Sequence, residues 1–272
     1  LIILGGGHVA LPVAEFGARV GFLVTVVDDR LSFANPGRFP MAEKVICDDF
    51  GHAIKELKIQ ESDYICIVTR GHRHDADCLR MIGKGKEPAY LGMIGSRRRV
   101  GIVKQELLEE GYDPERMSRL KSPIGLKIGG VTPEEIAISI LAEIIQVKRM
   151  DREDKRVKNR SDLDFDVLKR LAEEPDEPKA VVTVIESKGS SPRGAGAKMI
   201  VYRDGRILGS IGGGCSEAAV LGEARSLIGS GRYKVVHVDL TGEAAEDEGM
   251  VCGGIMDVLV EDFATDREPC DR

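Results

Sequence analysis

Short apolar runs alternate with amphipathic stretches through the first half of the chain. Residues 1–4 are apolar and lead into three glycines, and residues 8–20 repeat apolar side chains at helical spacing. Residues 22–27 then form a continuous apolar run that ends in Asp28, Asp29 and Arg30. Continuous apolar runs are typical of strands buried on both faces of a parallel sheet. The pattern predicts an α/β fold that begins with a Rossmann-like parallel sheet.

Further strands are predicted at residues 44–47, 63–69 and 89–94, with helices over residues 76–82 and from residue 99 to about 110. Polar clusters follow three of the predicted strands. Because the carboxyl ends of parallel strands meet at one edge of a sheet, where ligands bind, these clusters predict a binding edge. The residues expected to contact a ligand there are Gly5, Gly7, His8, Asp28, Asp29, Arg30, Thr69, Arg70, Gly71, His72, Gly95, Ser96 and Arg97.

The first glycine loop has the pattern G-x-G-x-x-A, formed by Gly5, Gly7 and Ala10. The loop stands between a predicted strand and helix, and Asp28 follows it by about 20 positions, which is the arrangement of a dinucleotide-binding βαβ unit. Asp28 is expected to accept a hydrogen bond from a ribose hydroxyl and to repel a 2′-phosphate. This favours NAD or adenosine over NADP.

Two features of the edge have alternative interpretations. His72 and His74 are either ligand contacts or loop imidazoles that bond to the backbone, and they lack a third ligand at metal-site spacing. The arginines at 97–99 are either a solvated helix start or an anion site. Cations at a helix N-terminus oppose the helix dipole, which favours the anion site.

The second half of the chain predicts a mixed α+β domain. A helix over residues 162–174 precedes strands at 180–186, 197–202, 207–211, 233–240 and 255–263, with one more helix after Cys215. Residues 148–160 are dense in charge and nearly free of large apolar side chains. The expected division is a nucleotide-binding domain at 1–148, a linker at 149–161, a cysteine-bearing domain at 162–265 and a tail at 266–272.

A second glycine-rich turn, Gly212 to Gly214, stands between a predicted strand and helix and is followed by Cys215. Glycines there let backbone N–H groups approach an anion, and the helix N-terminus favours a thiolate over a thiol. A buried, inert cysteine in a tight turn is the alternative. Cys252, which precedes two glycines, makes up a second site of similar composition and favours a functional role.

Composition narrows the class of protein. A net charge of −6 over 272 residues gives no support to nucleic-acid binding, and no apolar run reaches the roughly 20 residues of a membrane span. The six cysteines include no C-x-x-C pair, so reduced thiols and a cytoplasmic location are expected.

The motifs of both halves together resemble the XdhC/CoxI family. In the second half these are Gly-Ser-Ser-Pro-Arg (189–193), Gly-Ser-Ile-Gly-Gly-Gly-Cys-Ser-Glu (209–217) and Met-Val-Cys-Gly-Gly (250–254). In the first half they are Gly-Gly-Gly-His-Val-Ala (5–10), Val-Asp-Asp-Arg (27–30), Thr-Arg-Gly-His (69–72), Gly-Met-Ile-Gly-Ser-Arg-Arg (92–98) and Ser-Pro-Ile-Gly-Leu (122–126). The family usually carries the cysteine-bearing domain first, so the order here is reversed.

The resemblance implies an accessory protein, a chaperone for molybdenum hydroxylases such as xanthine dehydrogenase or aldehyde oxidoreductase. Such proteins bind molybdenum cofactor, protect it during sulfuration and deliver it to the apoenzyme. The implied partners are an apo molybdenum hydroxylase, a cysteine desulfurase as sulfur donor and further copies of the chain. Cys215 and Cys252 would contact molybdenum or relay sulfur, and the cofactor contacts would be Arg193, Gly212, Gly213, Gly214 and Glu217.

Two other classes of function stay open. The first domain suits an NAD-dependent oxidoreductase, although the second domain offers no evident arrangement for handling a substrate proton. A redox or ligand sensor, in which a nucleotide gates the cysteine-bearing domain, is the other. The binding edge of the first domain is expected to hold NAD, another nucleotide or a pterin.

Overall fold

The structure is a computed structural model that describes residues 1–150, 164–189, 193–239 and 254–263. The chain divides into two compact units, Leu1–Lys158 and Asn159–Arg272. Among the described residues, no helix combines the length and the apolar character needed to cross a bilayer.

The first unit contains a parallel sheet of five strands in the order β3-β2-β1-β4-β5. Its strands are β1 (Ile2–Leu4), β2 (Thr25–Asp28), β3 (Lys44–Cys47), β4 (Tyr64–Ile67) and β5 (Tyr90–Met93). Its helices are α1 (Ala10–Arg19), α2 (Phe50–Leu57), α3 (His72–Gly83), α4 (Arg97–Glu109), α5 (Pro114–Arg119) and α6 (Pro133–Met150). The prediction of a Rossmann-like parallel sheet is confirmed.

Both faces of this sheet are buried. Ile2 and Leu4 of β1 pack in one apolar cluster with residues of α2, α3, α4 and α5. Ile3, which points to the opposite face, packs with residues of α1 and α6. Successive side chains of a strand alternate between faces, so a strand covered on both sides needs apolar residues at every position. This explains the continuous apolar runs in the sequence.

The second unit contains an antiparallel sheet in the order β8-β7-β6-β10-β9. Its elements are α7 (Phe165–Glu173), β6 (Lys179–Gly189), β7 (Lys198–Tyr202), β8 (Ile207–Gly209), α8 (Gly214–Leu227), β9 (Tyr233–Asp239) and β10 (Gly254–Phe263). Met199 and Val201 of β7 join the cluster that includes Val220 of α8, whereas Ile200 packs with Val167 of α7. The two helices therefore cover opposite faces, and the mixed α+β prediction is confirmed.

Several elements differ from their expected limits, and four of the differences concern α3, α5, β6 and α6. Helix α3 begins at His72, four residues before the predicted start. The prediction began too late because the first turn of the helix is polar and shows no apolar periodicity. Helix α5 is an unpredicted element. Strand β6 continues to Gly189, into a predicted loop. Helix α6 runs through Met150, so the first two residues of the predicted linker are helical, and the remainder lies outside the described residues.

Candidate functional site

The strand order of the first unit creates a crevice at the carboxyl end of β1. Strand β1 lies between β2 and β4, and the chain leaves β1 and β4 toward helices α1 and α3. In an open α/β sheet, ligands bind at such a reversal of strand order. Three predicted contact groups lie here: the glycine loop after β1, the Asp28 group after β2 and the Thr69 group after β4.

The three glycines of the first loop have different structural roles. A side chain on Gly5, whose φ is +113°, would meet the backbone carbonyl of Val68, and a side chain on Gly6 would overlap the carbonyl of Phe33. Next to Gly7, nothing lies within 4 Å of the position that a Cβ would take. Gly5 and Gly6 are therefore required for chain packing. Gly7 borders open space that a ligand can enter.

The carboxylate of Asp28 is buried and is bound by the protein itself. One oxygen accepts hydrogen bonds from the Gly6 N–H at 2.8 Å and from Arg30 Nη2 at 2.9 Å. The other accepts from Arg30 Nε at 2.8 Å and from the Arg30 N–H at 3.1 Å. The expectation was that Asp28 would accept a hydrogen bond from a ribose hydroxyl. In the structure, Arg30 and Gly6 take those positions on both oxygens.

The segment between β2 and β3 adds a second arginine to the glycine loop. Arg38 donates hydrogen bonds to the carbonyls of Gly6 at 3.2 Å and Gly7 at 3.4 Å. The guanidinium of Arg30 stacks 3.7 Å above the centre of the Phe33 ring, and Arg38 lies 5.6 Å from the same centre. Sequence reasoning missed Phe33 and Arg38, because they belong to no motif and approach the loop only through the fold.

A salt bridge between Asp29 and Arg70 joins the ends of β2 and β4. Both terminal nitrogens of Arg70 donate to the carboxylate of Asp29. This bidentate bond lowers the pKa of Asp29 to about 2. Because β1 lies between β2 and β4, the pair spans the carboxyl end of β1.

A buried polar cluster in the first unit joins the end of β4 to helices α3 and α4. The Thr69 hydroxyl donates to Asp75 at 2.5 Å, and Arg99 of α4 donates to the other oxygen of Asp75. Burial raises the pKa of Asp75 above its usual value, although Thr69 and Arg99 partly offset this effect. Of the three arginines of the predicted anion site, Arg99 pairs with a carboxylate of the protein. An anion contact at Arg97 stays a prediction.

The other predicted residues of this edge take simpler positions. His8 is exposed in the turn before α1, and His72 is the first residue of α3. Ser96 caps α4 by accepting a hydrogen bond from the Arg99 N–H at 3.3 Å, with Gly95 before it and the exposed Arg97 after it. Gly71 is the N-cap residue of α3 and supplies no side-chain cap. Among the described residues, no group of three or more metal-ligating side chains is placed to hold a metal ion.

The glycine-rich turn of the second unit is held in a conformation that favours glycine. Gly212, Gly213 and Gly214 have φ values of +137°, +71° and +56°. Nothing lies within 4 Å of the position that a Cβ would take on Gly213 or Gly214. By contrast, a side chain on Gly209 would lie 2.5 Å from both Lys198 O and Val167 Cγ2. The turn is therefore left-handed, with open space beside its last two residues.

Glu217 holds this turn together. Its Oε1 atom accepts hydrogen bonds from the Ser210 hydroxyl at 2.7 Å and from the Gly213 N–H at 3.0 Å. The Ser210 hydroxyl accepts in turn from the Gly212 N–H at 3.1 Å. Glu217 was expected to contact a cofactor, and the structure gives its carboxylate a bracing role within the turn.

The predicted sulfur-handling residues are only partly described. Cys215 is the second residue of α8, directly after the glycine turn, and Gly213 at the N-cap supplies no side-chain cap. Arg193 is half-buried, at the start of the segment that leads into β7. Cys252 lies outside the described residues, so the proximity of Cys215 and Cys252 stays a prediction.

Comparison with known families matches both units. A family profile described as the XdhC Rossmann domain matches residues 1–144, and one described as the XdhC and CoxI family matches residues 172–239. The chain belongs to the XdhC family. The resemblance drawn from the motifs is thereby confirmed, and the two matches place the Rossmann domain before the XdhC and CoxI domain.

Curated relatives match parts of the chain. It is 37% identical over 149 residues to the uncharacterized protein YqeB of Escherichia coli strain K12, a match that spans 54% of this chain and 27% of that protein. It is 33% identical over 149 residues to a probable xanthine dehydrogenase subunit of Bacillus subtilis strain 168, over 55% of this chain and 43% of that protein. It is 40% identical over 74 residues to the molybdenum cofactor insertion chaperone PaoD of Escherichia coli strain K12, over 27% of this chain and 23% of that protein.

A solved structure also matches part of the chain. A crystal structure described as a xanthine dehydrogenase from Bacillus halodurans aligns with a TM-score of 0.51 at 33% identity, covering 56% of this chain and 45% of that one. In each of these comparisons the match spans less than half of the other protein.

Proposed function

We propose that this XdhC-family protein is an accessory factor for a molybdenum hydroxylase. It binds molybdenum cofactor, supports the sulfuration of that cofactor and delivers it to the apoenzyme. The proposal rests on the turn at Gly212–Gly214, which is open beside Gly213 and Gly214 and leads directly to Cys215. Relatives named as a molybdenum cofactor insertion chaperone and as part of a probable xanthine dehydrogenase support it.

The chemistry of the turn fits this cargo. Molybdopterin carries a phosphate and a metal bound by two sulfurs. A helix N-terminus that follows a glycine turn is a favourable place for a phosphate or an oxo-anion, because backbone N–H groups point toward it. Soft thiolates suit molybdenum and sulfur chemistry, which gives Cys215 its proposed role. A cysteine desulfurase is the proposed sulfur donor.

The first unit is proposed to hold a nucleotide or a pterin phosphate next to Gly7. The glycine loop follows β1, and the position of a Gly7 side chain is open. The arginines around the loop favour an anionic ligand. An oxidoreductase would use the same crevice and would also need a side chain that handles a substrate proton. The described residues of the second unit contain one histidine, the exposed His237, and it pairs with Asp257.

The test is cofactor loading and transfer. The protein is purified from molybdenum-replete cells, its metal is measured by inductively coupled plasma mass spectrometry, and bound pterin is identified by mass spectrometry. The loaded protein is then added to an apo hydroxylase with a sulfur donor. We expect bound pterin and activation of the hydroxylase.

A matched pair of cysteine variants sharpens this test. Cys215→Ala is expected to fold and to lose activation by about 10-fold or more, whereas Cys47→Ala, which removes an exposed free thiol of the first unit, is expected to behave like the wild type. Protein that carries no pterin and activates no hydroxylase would overturn the proposal.

A further inference from the structure

The end of β2 is cationic on its outer side, although the sequence there contains two aspartates. Asp28 is buried beneath Arg30, and the Asp29 carboxylate is bound by Arg70. Arg38 approaches the same glycine loop through the carbonyls of Gly6 and Gly7. Three guanidinium groups and two carboxylates therefore surround the loop, and both carboxylates are paired.

Arg30 is built into this site by three kinds of contact. It makes a bidentate ion pair with Asp28, it stacks on Phe33, and its backbone N–H also donates to Asp28. These contacts fix the guanidinium in one orientation. The pair uses Nε and Nη2, so the Nη1 end, with two further N–H groups, faces away from Asp28. About a third of the side chain is exposed, which leaves it accessible to a ligand.

This arrangement reverses the expected recognition of a ribose. A free carboxylate at the end of β2 accepts a hydrogen bond from a 2′-hydroxyl and repels a phosphate, whereas a nearby arginine accommodates a 2′-phosphate. Here the carboxylate is saturated by Gly6 and Arg30, so it has no lone pair directed at a hydroxyl. The group that faces outward is a cation with donors, which suits a phosphate.

We propose that Arg30 is the specificity-determining residue of the crevice in the first unit. It selects a nucleotide that carries a phosphate ester on the 2′-oxygen of its ribose. The preference is for the 2′-phosphorylated nucleotide over the same nucleotide with a free hydroxyl. This inference rests on the proposed use of the crevice as a nucleotide site. It replaces the expectation, drawn from Asp28 alone, that NAD or adenosine is favoured over NADP.

The test is isothermal titration calorimetry of the full chain with two ligand pairs, NADP against NAD and 2′-phospho-ADP-ribose against ADP-ribose. We expect the phosphorylated member of each pair to bind about 10-fold tighter or more at low ionic strength. The preference is expected to shrink as salt increases, because exposed charges are screened. The second pair shows whether the nicotinamide contributes.

Variants identify the residue responsible. Arg30→Gln alone leaves Asp28 buried without its ion pair, so the double variant Asp28→Asn, Arg30→Gln is used to keep the pair neutral. It is expected to bind both members of each pair equally. The control is Arg80→Gln, because Arg80 of α3 has a similarly exposed side chain that pairs with Asp77 of the same helix and with Glu110 at the end of α4. This variant is expected to keep the preference.

Three outcomes would overturn the inference: equal affinities, tighter binding of NAD, or no binding of either nucleotide. Pterin loading and hydroxylase activation are measured on the same preparations. If those persist while the nucleotide preference is absent, the inference on Arg30 fails and the proposed function stands. If the preference is found but neither pterin nor activation is, the proposed function fails and the inference on Arg30 stands.

Discussion

The hydroxyl of Tyr90 donates a hydrogen bond to Oε2 of Glu143 at 2.5 Å and thereby joins β5 to α6. The same oxygen accepts from the Gly125 N–H at 3.0 Å, so the loop between α5 and α6 is attached at the same point. Tyr90 is 2% exposed, and burial raises the pKa of its hydroxyl, which therefore stays a donor at neutral pH. One carboxylate oxygen thus connects three segments of the first unit.

Replacing Tyr90 by phenylalanine should lower the free energy of unfolding of the first unit by about 1–3 kcal/mol, since a charged acceptor loses its buried donor. Urea denaturation followed by circular dichroism measures the change. Tyr233→Phe is the control, because Tyr233 is 71% exposed, and it is expected to change the stability by less than about 0.5 kcal/mol. Equal effects of the two substitutions would contradict the prediction.

The Asp29–Arg70 pair should give a pH-dependent contribution to stability. The pKa of Asp29 is lowered from 3.8 to about 2, so its stabilising effect is present above about pH 4 and is lost as the pH falls through about 2. Because the Arg70 side chain is 41% exposed, the contribution should stay below about 1 kcal/mol. Asp29→Asn should therefore be slightly less stable than the wild type at pH 7, with the difference shrinking toward about pH 3 in urea denaturation. A difference that grows with acidity would exclude this account.

Valine substitutions at two glycines of the first loop should have different effects, one on nucleotide affinity and the other on stability. Gly7→Val should fold normally and lose nucleotide affinity by about 10-fold or more, because the side chain fills the open space beside the loop. Gly5→Val should instead destabilise the unit by several kcal/mol, since its side chain meets the carbonyl of Val68 at a positive φ. Thermal unfolding and calorimetry separate the two effects. A folded Gly7→Val protein with unchanged affinity would remove the loop from the binding site.

Cys215 and Cys252 are predicted to lie within disulfide range, with Cα atoms under about 7 Å apart, or to face one cavity. Mild oxidation followed by peptide mass spectrometry should then detect a Cys215–Cys252 disulfide, and Cys47 should not substitute for either partner. The double variant Cys215→Ala, Cys252→Ala should fold and fail to mature its client hydroxylase. Normal maturation by that variant would show that the pair handles neither metal nor sulfur.

The parts of the fold that could be predicted from sequence are those determined by neighbours along the chain. The strand runs followed from burial on both faces, and the start of α6 followed from the sequence Thr-Pro-Glu-Glu. There Thr132 caps the helix by accepting from the Glu135 N–H at 3.2 Å, and Glu135 accepts from the Thr132 N–H at 3.0 Å.

The parts that could not be predicted depend on contacts between distant segments. Asp28 was recognised as a strand-end carboxylate, but its saturation by Arg30 and Gly6 depends on side-chain orientation and on a contact across 22 residues. The pairing of Asp75 with Arg99 joins two helices in the same way. Polar residues at the edge of a sheet indicate a site, while their partners decide which of them remain available to a ligand.

The left-handed turn at Gly212–Gly214 has a consequence for the chirality of its residues. An L-residue held at such a positive φ is strained by roughly 1–3 kcal/mol, so no other genetically encoded residue replaces these glycines without strain. A D-amino acid has the mirror-image preference, and D-alanine introduced at position 213 by chemical ligation would adopt a φ of +71° without strain. The composition of this turn is thus determined by handedness more than by size.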